Sequence, residues 1–276
     1  MYSNEILIQK VKEIRASHPK MGTRKLFLKL NNFLAENNIK IGRDAFFNLL
    51  SFNDLLIRKN QRSIRTTYSN HWLRKYPNII EEIIPERVNQ LYVSDITYWK
   101  IETGFIYISL ITDAYSRKVV GYNVNKNLEA KGCIAALNMA IKENKVDKNT
   151  IHHSDRGIQY CSKKYIAILK KNKCKISMTE SGDPRDNAIA ERINGIIKNE
   201  YLNNYQIKNI KEAKQLLKSV VKLYNEDRPH MSLGNYTPIE IHNNKNLTFE
   251  REWKTYYSNF THSNIQKSSS KGSFKH

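Results

Sequence analysis

The chain has 276 residues, with 46 Lys and Arg against 26 Asp and Glu, a formal charge of +20. That length accommodates a full-sized core plus a smaller module, and so strong a positive charge, spread along the chain rather than held in a tail, points to a polyanionic partner. Cys133, Cys161 and Cys174 form no CxxC pair and give no ligand spacing with the histidines, which excludes a disulfide scaffold and leaves an N-terminal zinc module unsupported. No apolar run approaches ~18 residues and MYSNEILIQKVKEIR is not a signal peptide, so a soluble cytoplasmic protein is expected.

The N-terminal region reads as helical. Ile6, Ile8, Val11 and Ile14 recur at a rough helical period until His18-Pro19-Lys20 interrupts them. Met21-Gly22-Thr23 then offers Thr23 as the N-cap of a helix carrying Leu26, Leu30, Phe33 and Leu34, and Ile41-Gly42-Arg43 leads into another with Phe46, Phe47, Leu49 and Leu50. Short helices joined by Gly-containing turns in a basic context predict a helix-turn-helix-like DNA-binding module over residues 1–57, with Arg43 a candidate DNA contact. A bundle that only packs on the core is the alternative.

Residues 58–84 read as a basic linker. Arg58, Arg62 and Arg65 are candidate phosphate contacts there, with Trp72 and Tyr76 as anchors on the core.

From Gln90 the pattern turns to strands: Leu91 to Ile101, Phe105 to Thr112 and Arg117 to Val124, separated by turns at Glu102-Thr103-Gly104 and Asp113-Ala114-Tyr115-Ser116. A helix from about Leu128 to Glu143 follows, then a short strand ending at Asp155, a helix over Ser162–Asn172, a strand over Cys174–Met178 and a long helix carrying Glu191. Strand-strand-strand-helix-strand-helix is the order of a ribonuclease-H-like α/β core, a mixed five-stranded sheet with flanking helices.

Three acids stand out within that order. Asp95 interrupts a β-branched and aromatic strand, where a carboxylate is costly unless something pairs with it. Asp155 closes a strand, at the sheet edge where α/β sites form. On the third element, Glu191 shares a helix face with Asn194, Gly195 and Lys198, opposite an Ile189, Ile193, Ile196 and Ile197 stripe. Three carboxylates with few compensating His or Cys suit Mg²⁺, with Mn²⁺ able to substitute, in a two-metal phosphoryl-transfer site. Asp113 begins a turn and is expected to be structural, and Asp183 and Asp186 belong to the loop before the Glu191 helix. His152 and His153 are expected to lie in the strand behind the site.

Asp95, Asp155 and Glu191, with 35 residues between the last two and Lys198 seven beyond, resemble the DD(35)E triad of retroviral-integrase-like transposases. "SDITYWK", "ITDAYSRKVVGY", "HHSDRGIQY", "DNAIAERINGIIKNE" and "YNEDRPHMSLGNYTP" are similar to the downstream-frame catalytic protein of insertion-sequence class three, and "HPKMGTRKLFLKL" and "IGRDAFFNLL" to its N-terminal region. The resemblance runs from about Ser17 to about Ile241.

It implies an integrase catalytic core with C-terminal helices over residues 85–245, followed by a basic tail, 246–276, predicted to be disordered. It also implies metal-dependent cleavage at the element's ends, strand transfer into target DNA, self-association on DNA and an upstream-frame protein or frameshift fusion as partner, in a bacterial, nucleoid-associated setting. Lys198, Asn194, Arg192 and Arg156 are the candidate DNA contacts near the acids, while Arg228 and His230 either approach DNA or brace the fold. The rival readings are a ribonuclease-H-like structure-specific nuclease and an inactive DNA-binding transposon relic.

Overall fold

The computed structural model describes residues 2–57, 71–81, 83–180, 187–244 and 247. Arg58, Arg62, Arg65, Asp183, Asp186 and nearly all of the predicted tail lie outside the described residues.

Four helices come first: α1 (Tyr2–Ser17), α2 (Thr23–Lys29), α3 (Asn31–Glu36) and α4 (Arg43–Phe52). They enclose a core of their own, in which Leu7 and Val11 from α1 meet Met21, Leu26, Leu30, Leu34, Phe46 and Leu50. The expected cap on α2 is corrected. Gly22 occupies the N-cap, with no side-chain cap bond, and Thr23 is a buried residue of the first turn.

The remainder is built on a five-stranded mixed sheet in the order β3-β2-β1-β4-β5, comprising β1 (Leu91–Ile101), β2 (Gly104–Asp113), β3 (Val119–Asn125), β4 (Ile151–Ser154) and β5 (Lys175–Met178). The first three strands form an antiparallel meander, whereas β4 and β5 run parallel to β1. Parallel neighbours need crossovers, supplied by α5 (Ala130–Glu143) and α6 (Lys163–Lys171).

Alternation along β1 sends Tyr92 and Ile96 to the α5/α6 side, and Leu91, Val93, Trp99 and Ile101 to the side covered by α7 (Ala188–Ile196) and α8 (Ile210–Glu226). Packing of α5 is close enough that a Cβ at Gly121 of β3 would lie 2.2 Å from the Ala136 carbonyl oxygen. Helix α9 (Pro238–Asn243) closes the described fold behind a Thr237/Glu240 capping box.

Asp113 has the structural role expected of it: Oδ1 accepts from the Ser116 amide and hydroxyl, and Oδ2 from the Asn89 amide. Tyr76 packs against the α5/α6 core as expected, but Trp72 is 85% exposed and anchors nothing there; Leu73 takes that place. Among the described residues, no helix is long and apolar enough to cross a membrane.

Candidate active site

Ladder β1/β4 ends at the pair Ser94↔Ser154, while β1 itself runs on to Ile101. Asp95 and Asp155 are therefore the next residues on two adjacent parallel strands, in equivalent positions. Both continue the side-chain parity that points to the α7 face, after Val93 on one strand and His153 on the other. The site thus forms at the C-terminal end of the parallel ladder, where the backbone groups of the two strands stop pairing with each other.

Helix α7 is fixed across this point by a stripe at i, i+4, i+7 and i+11: Asn187, Glu191, Asn194 and Lys198. Asn187, at its N-cap, donates from Nδ2 to the Ser94 carbonyl oxygen (2.9 Å). Asn194 Nδ2 donates to Asp95 Oδ2 (2.7 Å). Lys198, in the π-helical turn Ile197–Tyr201 that extends α7, sets its ammonium 3.8 Å from the centre of the Tyr98 ring. Glu191 lies between the two asparagines on this stripe, exposed to solvent beside Asp95.

Charge and burial act together on Asp95. Loss of water raises its carboxyl to about 7, Asp155 adds the larger push from a neighbouring charge and Glu191 a smaller one, while the Asn194 amide and the Ile96 backbone only partly offset them. Asp155 Oδ1 accepts the Gly157 amide (2.9 Å), and a Cβ at Gly157 would sit 2.9 Å from that same oxygen and 3.1 Å from Gln159 Oε1. A side chain at this position would have to displace the Asp155 carboxylate or the Gln159 amide.

Beneath the two acids lies a neutral platform. His152 Nε2 is 2.8 Å from both Ser94 Oγ and Tyr165 OH, and burial drives its imidazole down to about 3. An imidazole kept neutral by burial takes no part in balancing carboxylate charge. An oxygen-only donor set of aspartates with a flanking glutamate matches a hard divalent cation. Among the described residues, no three His, Cys, Asp or Glu side chains gather closely enough to hold one ion together. The fit therefore rests on the Asp95–Asp155 pair, with Glu191 at its flank.

The predicted DNA contacts separate by burial. Arg192 is exposed beside Glu191, Arg43 is exposed on α4 where it pairs with Asp44 (2.9 Å), and Arg156 is half-buried, its carbonyl oxygen 2.8 Å from His71 Nε2. Lys198 is half-buried on Tyr98. Asn194 is buried, and its amide serves Asp95 rather than the surface. Of the two residues left open at the C-terminal end, Arg228 is buried in a two-bond grip on Glu200 (2.8 and 2.7 Å) and His230 is buried against Tyr224, so both brace the fold. Asn187 was not anticipated, although its place on the Glu191 stripe was legible as a period.

Two models of the integrase core domain match the chain, over residues 85–184 and 172–238. The insertion element IS600 31 kDa protein of Shigella sonnei is 34% identical, over 82% of this chain and 84% of that protein. The transposase for insertion sequence element IS629, also of Shigella sonnei, is 30% identical over 81% and 74% respectively. Among solved structures, a chain of the simian T-cell lymphotropic virus intasome in complex with PP2A regulatory subunit B56 gamma superposes with a TM-score of 0.51 at 16% identity, covering 88% of this chain and 78% of that one, a likeness of fold. With its ribonuclease-H-like sheet and integrase core, the chain belongs to the IS3 family of bacterial insertion-sequence DDE transposases, which are polynucleotidyl transferases.

Proposed function

We propose that this transposase cuts its element's ends and joins them to target DNA with Asp95, Asp155 and Glu191 as its catalytic acids. Divalent-metal dependence accompanies the fold family; the finer reading is a pair of Mg²⁺ ions, replaceable by Mn²⁺, held by Asp95 and Asp155 with Glu191 completing the second position. The observation that carries this reading is the equivalent placement of Asp95 and Asp155 one step past the Ser94↔Ser154 pair, with the Glu191 helix tied to both Ser94 and Asp95.

Each protein group has a definable task. Asn194 keeps one Asp95 oxygen oriented, the Gly157 amide keeps one Asp155 oxygen oriented, and the Ser94–His152–Tyr165 contacts hold the strand ends beneath them. Bound cations supply positive charge where negative charge builds up on the attacked phosphate. Hydrolysis of one strand leaves a 3′-hydroxyl; in joining, that oxygen forms a new bond to a target phosphorus and the target's own 3′-oxygen departs. Both steps break and form one P–O bond, so one site suffices for the two.

Arg192, Arg156, Lys198 and Arg43 are proposed to track phosphates, as are Arg58, Arg62 and Arg65 in the basic linker. The proposal extends to cytoplasmic, nucleoid-associated action, to self-association on DNA and to cooperation with an upstream-frame protein or frameshift fusion. The test is a labelled duplex carrying the terminal repeat, incubated with supercoiled plasmid and Mg²⁺. Cleaved ends and joined products support the reading, cleavage without joining points to a structure-specific nuclease, and binding with neither points to an inactive relic.

A further inference from the structure

We infer that the N-terminal helical module is a positioning element for the catalytic helix, acting through His18 and Asp227. This inference rests on the reading of Glu191 as a catalytic acid. His18, just past the end of α1, is buried, with Nδ1 2.9 Å from the Tyr201 hydroxyl and Nε2 2.6 Å from Asp227 Oδ2. A neutral ring satisfies both contacts: Tyr201 donates to Nδ1, and the Nε2–H donates to the carboxylate. Lys29 of α2 reaches the same aspartate, at its carboxylate and at its carbonyl oxygen (3.2 Å). The Lys20 amide donates to the Glu200 carbonyl oxygen (3.2 Å), and the Glu200 carboxylate is clamped by buried Arg228.

The His18–Tyr201 and Lys20–Glu200 contacts fall on one end of one element, and the contacts to Asp227 fall on the C-cap of α8, beside the Arg228 that clamps Glu200. Glu200 and Tyr201 finish the helix that begins as α7 and carries Glu191, about ten residues or ~15 Å away along the axis. Between the acid and the grip the helix passes into the π-helical turn Ile197–Tyr201, an irregularity often found at functional sites. The far end of the same helix is held by Asn187 to Ser94, so Glu191 is suspended between a sheet contact and a module contact. DNA bound by the module therefore pulls on the helix that presents Glu191 to Asp95. Two sequence stretches that the chemistry leaves unused, His18-Pro19-Lys20 and Asn225-Glu226-Asp227-Arg228, meet here because each supplies one side of the grip.

The experiment uses the full chain with His18→Ala, Tyr201→Phe, Lys29→Met and the double variant His18→Ala/Tyr201→Phe, beside wild type and Glu191→Gln. End-binding affinity, the single-turnover cleavage rate at saturating DNA and the thermal midpoint are measured for each. Expected are a cleavage rate lowered at least about tenfold, affinity within about threefold, and a double variant no slower than the slower single, because both changes remove one shared contact. Partial recovery of rate in His18→Gln, whose amide can still donate to Asp227, supports the same conclusion. Should His18→Ala not fold, Tyr201→Phe and Lys29→Met carry the test. Rates within about twofold of wild type in folded variants, with Glu191→Gln inactive, overturn the coupling alone. Loss of affinity at an unchanged rate overturns it as well. Activity retained in Glu191→Gln overturns the site reading and the coupling with it.

Discussion

Asn194 donates one hydrogen bond, 2.7 Å long, to the carboxylate of Asp95, and this bond joins the helix of the third acid to the strand of the first. Hydrogen bonds to charged partners contribute roughly 1.5–3 kcal/mol, so its loss should be felt at the site rather than in the fold as a whole. In Asn194→Ala we expect DNA affinity to stay within about threefold and the cleavage rate to fall about tenfold or more. A rate unchanged from wild type, measured at saturating DNA and Mg²⁺, shows that Asp95 needs no such support.

Asp95 also sets a pH dependence. Its carboxyl is raised to about 7 from an ordinary 3.8, so the folded protein holds a proton that the unfolded chain has already released. Whatever stability Asp95 contributes is present below its ordinary value and is lost as pH rises through 7. At pH 8 in EDTA, Asp95→Asn should therefore raise the thermal midpoint, by roughly 2–4 °C for each kcal/mol recovered, and the gain should shrink at pH 5. A lower midpoint at pH 8 contradicts the crowded-carboxylate account. For the same reason, Mn²⁺ affinity of the wild type should increase between pH 6 and pH 8, as titration calorimetry can show, because the cation has to displace that proton.

The Gly157 amide donates to the Asp155 carboxylate. A methyl group there meets Asp155 Oδ1 at 2.9 Å, so Gly157→Ala has to turn the carboxylate or open the loop. The variant should remain folded, bind DNA, and lose most of its cleavage activity. Wild-type activity in Gly157→Ala, read on the same labelled duplex, shows that Asp155 tolerates a different orientation.

Lys198 rests its ammonium on Tyr98, and burial lowers its pKa. Lys198→Ala should weaken end binding and reduce the slope of log affinity against log salt by about one. A salt slope identical to that of wild type removes Lys198 from the phosphate contacts.

Most strands and helices were legible because their residues carry a strong period. Leu91–Ile101 is a run of β-branched and aromatic residues, and the helix read over Ser162–Asn172 is found at Lys163–Lys171 with Ser162 as its N-cap. Spacing alone does not contain the register of Asp95 with Asp155, since it depends on β4 adding to β1 rather than to β3. The Glu191 helix face was likewise readable as a period, but not what that face meets: Asn194 shares it with the charged Glu191 and Lys198 and is buried against Asp95 in the fold. Trp72 is not the anchor its size suggests: Leu73 and Tyr76 pack on the α5/α6 core while Trp72 faces solvent, a choice that no local pattern encodes. The grip on Glu200 and Tyr201 joins residues about 180 positions apart, beyond the reach of any local pattern.

In the proposed mechanism the joining reaction depends on all three acids at once. With terminal-repeat duplex, plasmid target and Mg²⁺, wild type should yield cleaved ends and strand-joined products. Asp95→Asn, Asp155→Asn and Glu191→Gln should each yield neither while binding the duplex with affinity within about threefold of wild type. Near-normal cleavage and joining by Asp155→Asn would contradict the central claim that Asp95 and Asp155, side by side at the end of the β1/β4 ladder, are the acids that carry the chemistry.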